Sequence, residues 1–285
     1  MLLFISIWAI AVNWLAYRKG FYQFPKLSKK AIPHVTTIQL LASFGLYLIL
    51  ALFIAPLFVK FLFVYLKRMD IEFSHFNIVL ITGIQCTVMI TIFVLLQLFM
   101  RQQDPLAYKK IWKDKDRTPT YPTEFDLGLG VVSWFLIFPV VTIISDILDK
   151  ILRIFFQLND YEQAAVKFVK AAKNAPLSLV FALLSILVLA PFIEEFLFRG
   201  VLQTYCKKRL GPHAAIIISA LLFSLFHIST GQGLGNISLV VSLFLLGGFL
   251  GFLYERQGSL WAPIGLHMAF NAVSALRIVI LPEVL

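Results

Sequence analysis

The sequence predicts an all-α fold: a polytopic transmembrane helical bundle of about eight membrane helices, with one amphipathic helix at the interface. Three observations predict it. Of 285 residues, 60% are hydrophobic and 14% are charged, against about 25% charged in a soluble domain. The mean hydropathy is +0.86, and a soluble surface cannot be built from so few polar groups. The apolar residues also gather into runs of about 20, the length that spans a bilayer. The same composition excludes a disordered chain. The net charge of +10 reads as basic loops facing the cytoplasm and anionic lipid, not as nucleic-acid binding, because no basic stretch accompanies a binding module. Cys86 and Cys206 are too far apart in sequence to suggest a disulfide framework.

Eight apolar segments lie near residues 2–17, 35–58, 76–100, 127–145, 177–205, 213–229, 236–254 and 261–282. The first has no basic residue before it and is followed by Arg18 and Lys19, the charge order of an uncleaved signal-anchor. The loop at 18–34 carries Arg18, Lys19, Lys26, Lys29 and Lys30, the linker at 101–126 carries six basic residues, and the turn near 206–212 carries Lys207, Lys208 and Arg209. These are alternate loops, so they share a side. The positive-inside rule makes that side cytoplasmic and puts both termini outside. Lys60, Lys67 and Arg68 are expected in an opposing loop, and the 146–175 connection carries five more basic residues.

Within that connection, residues 157–175 read as an amphipathic helix. Tyr161, Ala164, Ala165, Phe168 and Ala172 share one side, and Asp160, Lys167, Lys170 and Lys173 the other. Pro105, Pro119 and Pro122 mark 101–126 as an irregular polar linker. It separates an N-terminal region, 1–126, with three spans from a C-terminal region, 127–285, with five.

The informative residues are ionisable groups inside apolar runs, because a charge near mid-bilayer costs at least ~2.5 kcal/mol. Glu194 and Glu195 are the two acidic residues so placed, in Ala190-Pro191-Phe192-Ile193-Glu194-Glu195-Phe196-Leu197-Phe198-Arg199. His227, His267 and Arg199 are likewise flanked by apolar sequence. Glu195 and Arg199 share a helix face and can pair, while Glu194 points roughly 100° away and is free to face something else. Phe223 with His227, and His267 with Asn271, repeat the same spacing. Glu194 lies 17 residues before Gly211 and His227 16 after it. Two antiparallel helices pivoting there bring both groups level, ~24–26 Å from the turn. His267 reaches that depth if the chain enters extended from Gly258 and a helix starts at Pro263. The Lys207–Arg209 cluster is expected at the interface, not in the core.

Two carboxylates, two imidazoles, an amide and a guanidinium in one buried pocket suit water activation. A carboxylate there can act as general base, a histidine can orient the water, and His267 and Asn271 can donate to a developing oxyanion. Alternatively, Glu194, His227 and His267 can hold a zinc ion. Each residue also has a structural role open to it: an ion pair for Glu195 and Arg199, a buried hydrogen-bonded ring for either histidine, helix-to-helix bonding for Asn271. Gly247, Gly248 and Gly251 read as sites of close helix approach, and Gly231, Gly233 and Gly235 as a flexible turn that no strand precedes.

Glu194-Glu195-x-x-x-Arg199, Phe223-x-x-x-His227 and His267-x-x-x-Asn271, in that order, resemble the motif set of the CAAX prenyl protease type II and bacteriocin-processing family (CPBP, or Abi). The resemblance covers about 177–275. It implies an intramembrane endopeptidase acting on a prenylated or other membrane-associated protein, with the bacterial inner membrane as the expected location. In that family Glu194 would be the water-activating base, assisted by His227. His267 and Asn271 would stabilise the oxyanion, and Glu195 and Arg199 would support the site. The family was named as metalloproteases, so a divalent metal stays open. His-Glu-x-x-His, Gly-x-Ser-x-Gly and Gly-x-Gly-Asp signatures are absent. Rival readings are a proton-coupled transporter or channel, for which no inverted repeat is found, and a non-catalytic immunity or scaffold protein.

Overall fold

A computed structural model describes residues 2–24, 33–68, 76–116, 119–157 and 163–280. Lys26, Lys29, Lys30, Asp160 and Tyr161 lie outside the described residues. The molecule is an all-α helical bundle. Among the described residues, six helices are long and apolar enough to cross a membrane, and two shorter apolar helices, Leu3–Arg18 and Pro212–Leu225, join them.

Helix α1 (Leu2–Arg18) lies along α6. Helix α2 (Thr37–Leu48) starts at a capping box, in which the Thr36 hydroxyl and the Gln39 side chain each bond the other's backbone N–H. It runs through a π-helical stretch, Ile49–Ile54, into α3 (Ala55–Arg68). Lys60, Lys67 and Arg68 therefore sit on a continuous helix and not in the loop expected for them: the helix runs on past Pro56, and no Pro or Gly follows up to residue 68. Helix α4 (Phe76–Gln103) follows.

The linker after α4 is less irregular than expected. Asp104 caps the N-terminus of α5 (Pro105–Trp112) by accepting from Leu106 and Ala107 N–H, and Pro105 occupies the first turn, where a missing N–H costs nothing. Ile111 is buried, Trp112 O accepts from Leu260 N–H at 3.0 Å, and Asp114 N–H donates to Gly258 O at 2.8 Å. The linker is thus fastened to the turn that leads into the last helix. Lys113 Nζ reaches the buried Asp126 carboxylate at 3.0 Å and ties the linker to α6 as well.

Helix α6 (Thr123–Phe156) has 34 residues, about 51 Å at 1.5 Å per residue. It continues well past the expected end near 145, because Asp146, Asp149, Lys150 and Arg153 are all tolerated in a helix that leaves the apolar zone. Helix α7 (Ala164–Ala172) is the described part of the amphipathic segment, and it packs on α4, α8 and α13. The longest helix of the bundle spans Pro176–Leu210 in 35 residues. It comprises α8 (Pro176–Leu184), α9 (Ala190–Glu195) and α10 (Thr204–Leu210), joined by π-helical stretches Ser185–Leu189 and Phe196–Gln203.

Gly211, at φ 83°, takes a conformation open to a residue without Cβ, and Pro212 opens α11 (Pro212–Leu225). Helix α12 (Gly235–Gln257) ends on the left-handed cap Gly258, and α13 (Trp261–Ile280) begins two residues before Pro263. Helices α6 and α13 pack most closely. A Cβ on Gly130 would lie 2.0 Å from Ala262 O, and one on Gly265 2.3 Å from Leu127 O. One hydrophobic core cluster joins Ile92, Leu96 and Met100 of α4 and Ile111 of α5 to Phe196, Val201, Phe223 and Ile264, and a second joins Ile137 and Val141 of α6 to Leu246, Leu250 and Leu266.

Candidate active site

The site is built on α9, where Glu194 and Glu195 sit between two π-helical stretches, a local widening often found at functional positions. Glu195 faces the bundle interior. Its Oε1 accepts from Arg199 Nη1 at 3.1 Å and from His267 Nδ1 at 2.8 Å, so one carboxylate oxygen joins this helix to α13. Arg199 Nη2 donates to Gly247 O at 3.0 Å and its guanidinium lies 4.4 Å from the Phe223 ring centroid, which joins the helix to α12 and α11. Both charged groups are fully buried. The Phe223 ring also packs on His227 at 4.8 Å and on His267, edge-on, at 5.9 Å.

Glu194 points elsewhere. Its Oε2 is 3.7 Å from His227 Nε2 and 3.9 Å from His267 Nε2, and it has no hydrogen-bond partner among the described residues. His227 is not inside a helix, as its apolar flanks suggested. Helix α11 stops at Leu225 and the following turn carries the ring. Its Nδ1 bonds Phe223 O at 2.8 Å. A carbonyl only accepts, so the proton is on Nδ1, and a neutral ring turns its Nε2 lone pair toward Glu194. Asn271 is one turn along α13 from His267, but its Nδ2 donates to Ile186 O at 2.9 Å, on the first π-helical stretch. That bond holds the helices together and leaves the amide its second hydrogen.

Glu194, His227, His267 and Asn271 line one cavity of about 230 Å³, walled otherwise by apolar side chains such as Leu239, Leu246 and Phe270 and covered by Ala165, Val166 and Val169 of α7. Glu194 and Ala190 also border a second cavity of about 80 Å³, reached from α2 to α4. Glu195 and Arg199 stand behind the larger cavity and not in its wall.

The zinc alternative requires donors closer together. Tetrahedral zinc with ~2.0–2.1 Å bonds sets ligand atoms about 3.3–3.4 Å apart. The Glu194–histidine separations are wider, Glu195 is committed to Arg199 and His267, and among the described residues no group of three His, Cys, Asp or Glu is placed to hold a metal ion. These residues do not fit the metal.

Several polar residues near the site escape a reading based on isolated charges. Gln232 is buried in the larger cavity wall, on a turn clamped by Asn236, whose side chain bonds both backbone groups of Ser229. Arg199, Gln203 and Lys207 recur every four residues and meet Gly247, Gly251 and Glu255, which recur every four residues on α12. Gln203 Nε2 donates to Gly251 O and to Glu255 Oε1, both at 3.0 Å, and Lys207 Nζ lies 2.6 Å from Glu255 Oε2. Lys207 is therefore buried beside a fully buried counter-charge, Glu255, while its neighbours Lys208 and Arg209 are exposed. The matching four-residue spacings on the two helices are the signal that could have found this ladder.

The match to known proteins falls on the same segment. The family model for type II CAAX prenyl endopeptidases, Rce1-like, matches residues 176–273, which hold all seven motif residues. An uncharacterised 24.3 kDa protein of Escherichia coli is 31% identical over 106 residues, covering 37% of this chain and 48% of that protein. The uncharacterised protein YpbD of Bacillus subtilis (strain 168) is 33% identical over 91 residues, covering 32% of this chain and 42% of that protein. The chain spans just under half the length of these curated relatives. No solved structure matches it. Over residues 176–273, about a third of its length, the chain is similar to the type II CAAX prenyl endopeptidase Rce1-like family.

Proposed function

We propose that this chain is an intramembrane endopeptidase that hydrolyses a peptide bond in a membrane-associated protein, of the prenylated CAAX kind, using water activated by Glu194. The observation that carries this reading is one carboxylate oxygen facing two imidazole nitrogens, at 3.7 and 3.9 Å, on the wall of a cavity inside the bundle. The bacterial relatives support the bacterial inner membrane as its location.

A water placed against Glu194 Oε2 and His227 Nε2 meets two acceptors. It donates a hydrogen to each and keeps its own lone pair for the scissile carbonyl carbon. As the new C–O bond forms, Glu194 takes the water proton and the carbonyl oxygen becomes an oxyanion. His267 donates to that oxygen from Nε2, which requires a ring protonated on both nitrogens, and the Glu195 carboxylate balances the charge. The second amide hydrogen of Asn271 is the other donor. Collapse breaks the C–N bond, and the proton held by Glu194 passes to the leaving amine. The products are a carboxylic acid, which keeps the second water hydrogen, and an amine; transfer of that proton to the amine leaves a carboxylate and an ammonium.

The test uses purified protein, a farnesylated CAAX peptide and a panel of membrane-protein C-terminal peptides. Wild-type protein should cleave at least one of them, and Glu194→Ala should lower turnover by about 10²–10⁴-fold, the worth of a positioned general base. Equal cleavage by Glu194→Ala would remove the base. Proton-driven flux in liposomes without cleavage would favour the relay instead.

A further inference from the structure

The wall of the larger cavity holds a buried polar side chain that has no part in the hydrolysis. In the reaction proposed for this site, Glu194 and His227 hold the water, and His267 and Asn271 hold the oxyanion. Ser274 Oγ donates to Phe270 O at 3.0 Å, and Gln163 is exposed. Gln232 remains, and it is only 5% exposed. Its carbonyl oxygen, Oε1, has no hydrogen-bond partner among the described residues. A buried amide is ordinarily paired, because leaving water without a new partner costs free energy. The turn that carries Gln232 is held without this side chain. Asn236 Oδ1 accepts from Ser229 N–H at 3.0 Å, and Asn236 Nδ2 donates to Ser229 O at 2.8 Å and to Gly233 O at 3.1 Å. The Gln232 backbone N–H closes the turn on Ser229 O at 3.2 Å. The backbone of Gln232 is thus fixed while its carboxamide is left without a task in folding. Gln232 follows His227 by five residues, so it stands on the same connection as a group at the reaction centre. A carboxamide presents one acceptor oxygen and two donor hydrogens. An extended peptide presents the complement, N–H and C=O groups with no partner in their own strand.

We propose that Gln232 binds the substrate backbone: its Oε1 accepts from a peptide N–H near the scissile bond and so sets the register of the peptide over Glu194. Such a contact reads the main chain and is indifferent to the side chains that pass it. The inference rests on the reading of Glu194 as the water-activating base and of the larger cavity as the place where the peptide lies.

The probe is whichever of the farnesylated CAAX peptide and the C-terminal peptides wild-type protein cleaves best. It is remade with each backbone N–H near the scissile bond replaced in turn by an ester oxygen, which removes the donor and keeps the shape. One replacement should lower wild-type kcat/KM by about tenfold, the worth of one buried hydrogen bond, and the others by much less. Gln232→Met keeps the length of the side chain and removes the amide. It should lower kcat/KM for the all-amide peptide by about tenfold, chiefly through KM, and should feel the sensitive ester by no more than about twofold. Its melting in detergent should be unchanged or higher, since a buried oxygen without a partner is gone. Equal sensitivity of wild type and Gln232→Met to every ester would overturn the contact. So would a wild-type protein indifferent to all of them, a readout that needs no variant to fold. Either result, with cleavage still lost in Glu194→Ala, leaves Glu194 in its role. Absence of wild-type cleavage of every peptide would instead overturn the role of Glu194, and the contact with it.

Discussion

Glu194 and Glu195 are adjacent acids on one helix with different surroundings. Glu195 is fully enclosed, its Oε1 bonded to Arg199 and His267, whereas Glu194 stands in the cavity wall. Removing one member of a buried ion pair costs about 3–5 kcal/mol, because the other charge is left without compensation. Glu195→Gln is therefore expected to lower yield and thermal stability in detergent chiefly, with turnover per folded molecule falling much less than in Glu194→Ala. Normal melting with lost turnover would contradict that division. The separation was legible in the sequence from the angle between neighbouring helical residues. The fate of Lys207 was not, since its counter-charge Glu255 is 48 residues away on another helix and looks, in sequence, like an ordinary span end.

At the scale of elements, the crossing of α6 and α13 sets where His267 stands. Gly130 lies against the Ala262 carbonyl and Gly265 against the Leu127 carbonyl, so the backbones meet without side chains between them. Gly130→Ala would place a methyl 2.0 Å from Ala262 O, and such overpacking costs about 1–3 kcal/mol. A lower melting temperature together with weakened turnover is expected, as α13 shifts away from Glu194. Gly248→Ala, with open space around its Cβ, should leave melting unchanged or raise it. Equal melting for both variants would count against the close crossing. The spans themselves were visible as apolar runs, but their true ends were not. Helix α6 extends to Phe156 through charged residues, and α5 forms within a proline-bearing linker because Pro105 opens a helix capped by Asp104. The π-helical stretches around α9 leave no mark in residue spacing, since they depend on how neighbouring helices pack.

The whole molecule places a few polar groups in a mostly apolar chamber inside the bundle and closes it with helices from both halves of the chain. The C-terminal helices bring the charged groups, α7 covers the larger cavity, and α2 to α4 form the smaller one. Only the first of these contributions could be read from the sequence, where helical depth from the Gly211–Pro212 turn set Glu194 and His227 level. The others come from tertiary packing of residues that are individually ordinary, such as Ala51, Val166 and Met89. The central claim is that Glu194 and His227 act on a single water in that chamber. The most direct measurement is turnover by Glu194→Gln, His227→Ala and the double variant against the same cleaved peptide, with melting recorded for each. Each single change should cost about 10²–10⁴-fold, and the double variant should lose little more than the worse single, as groups acting as a unit do. Wild-type turnover in Glu194→Gln, or losses that multiply in the double variant, would contradict it.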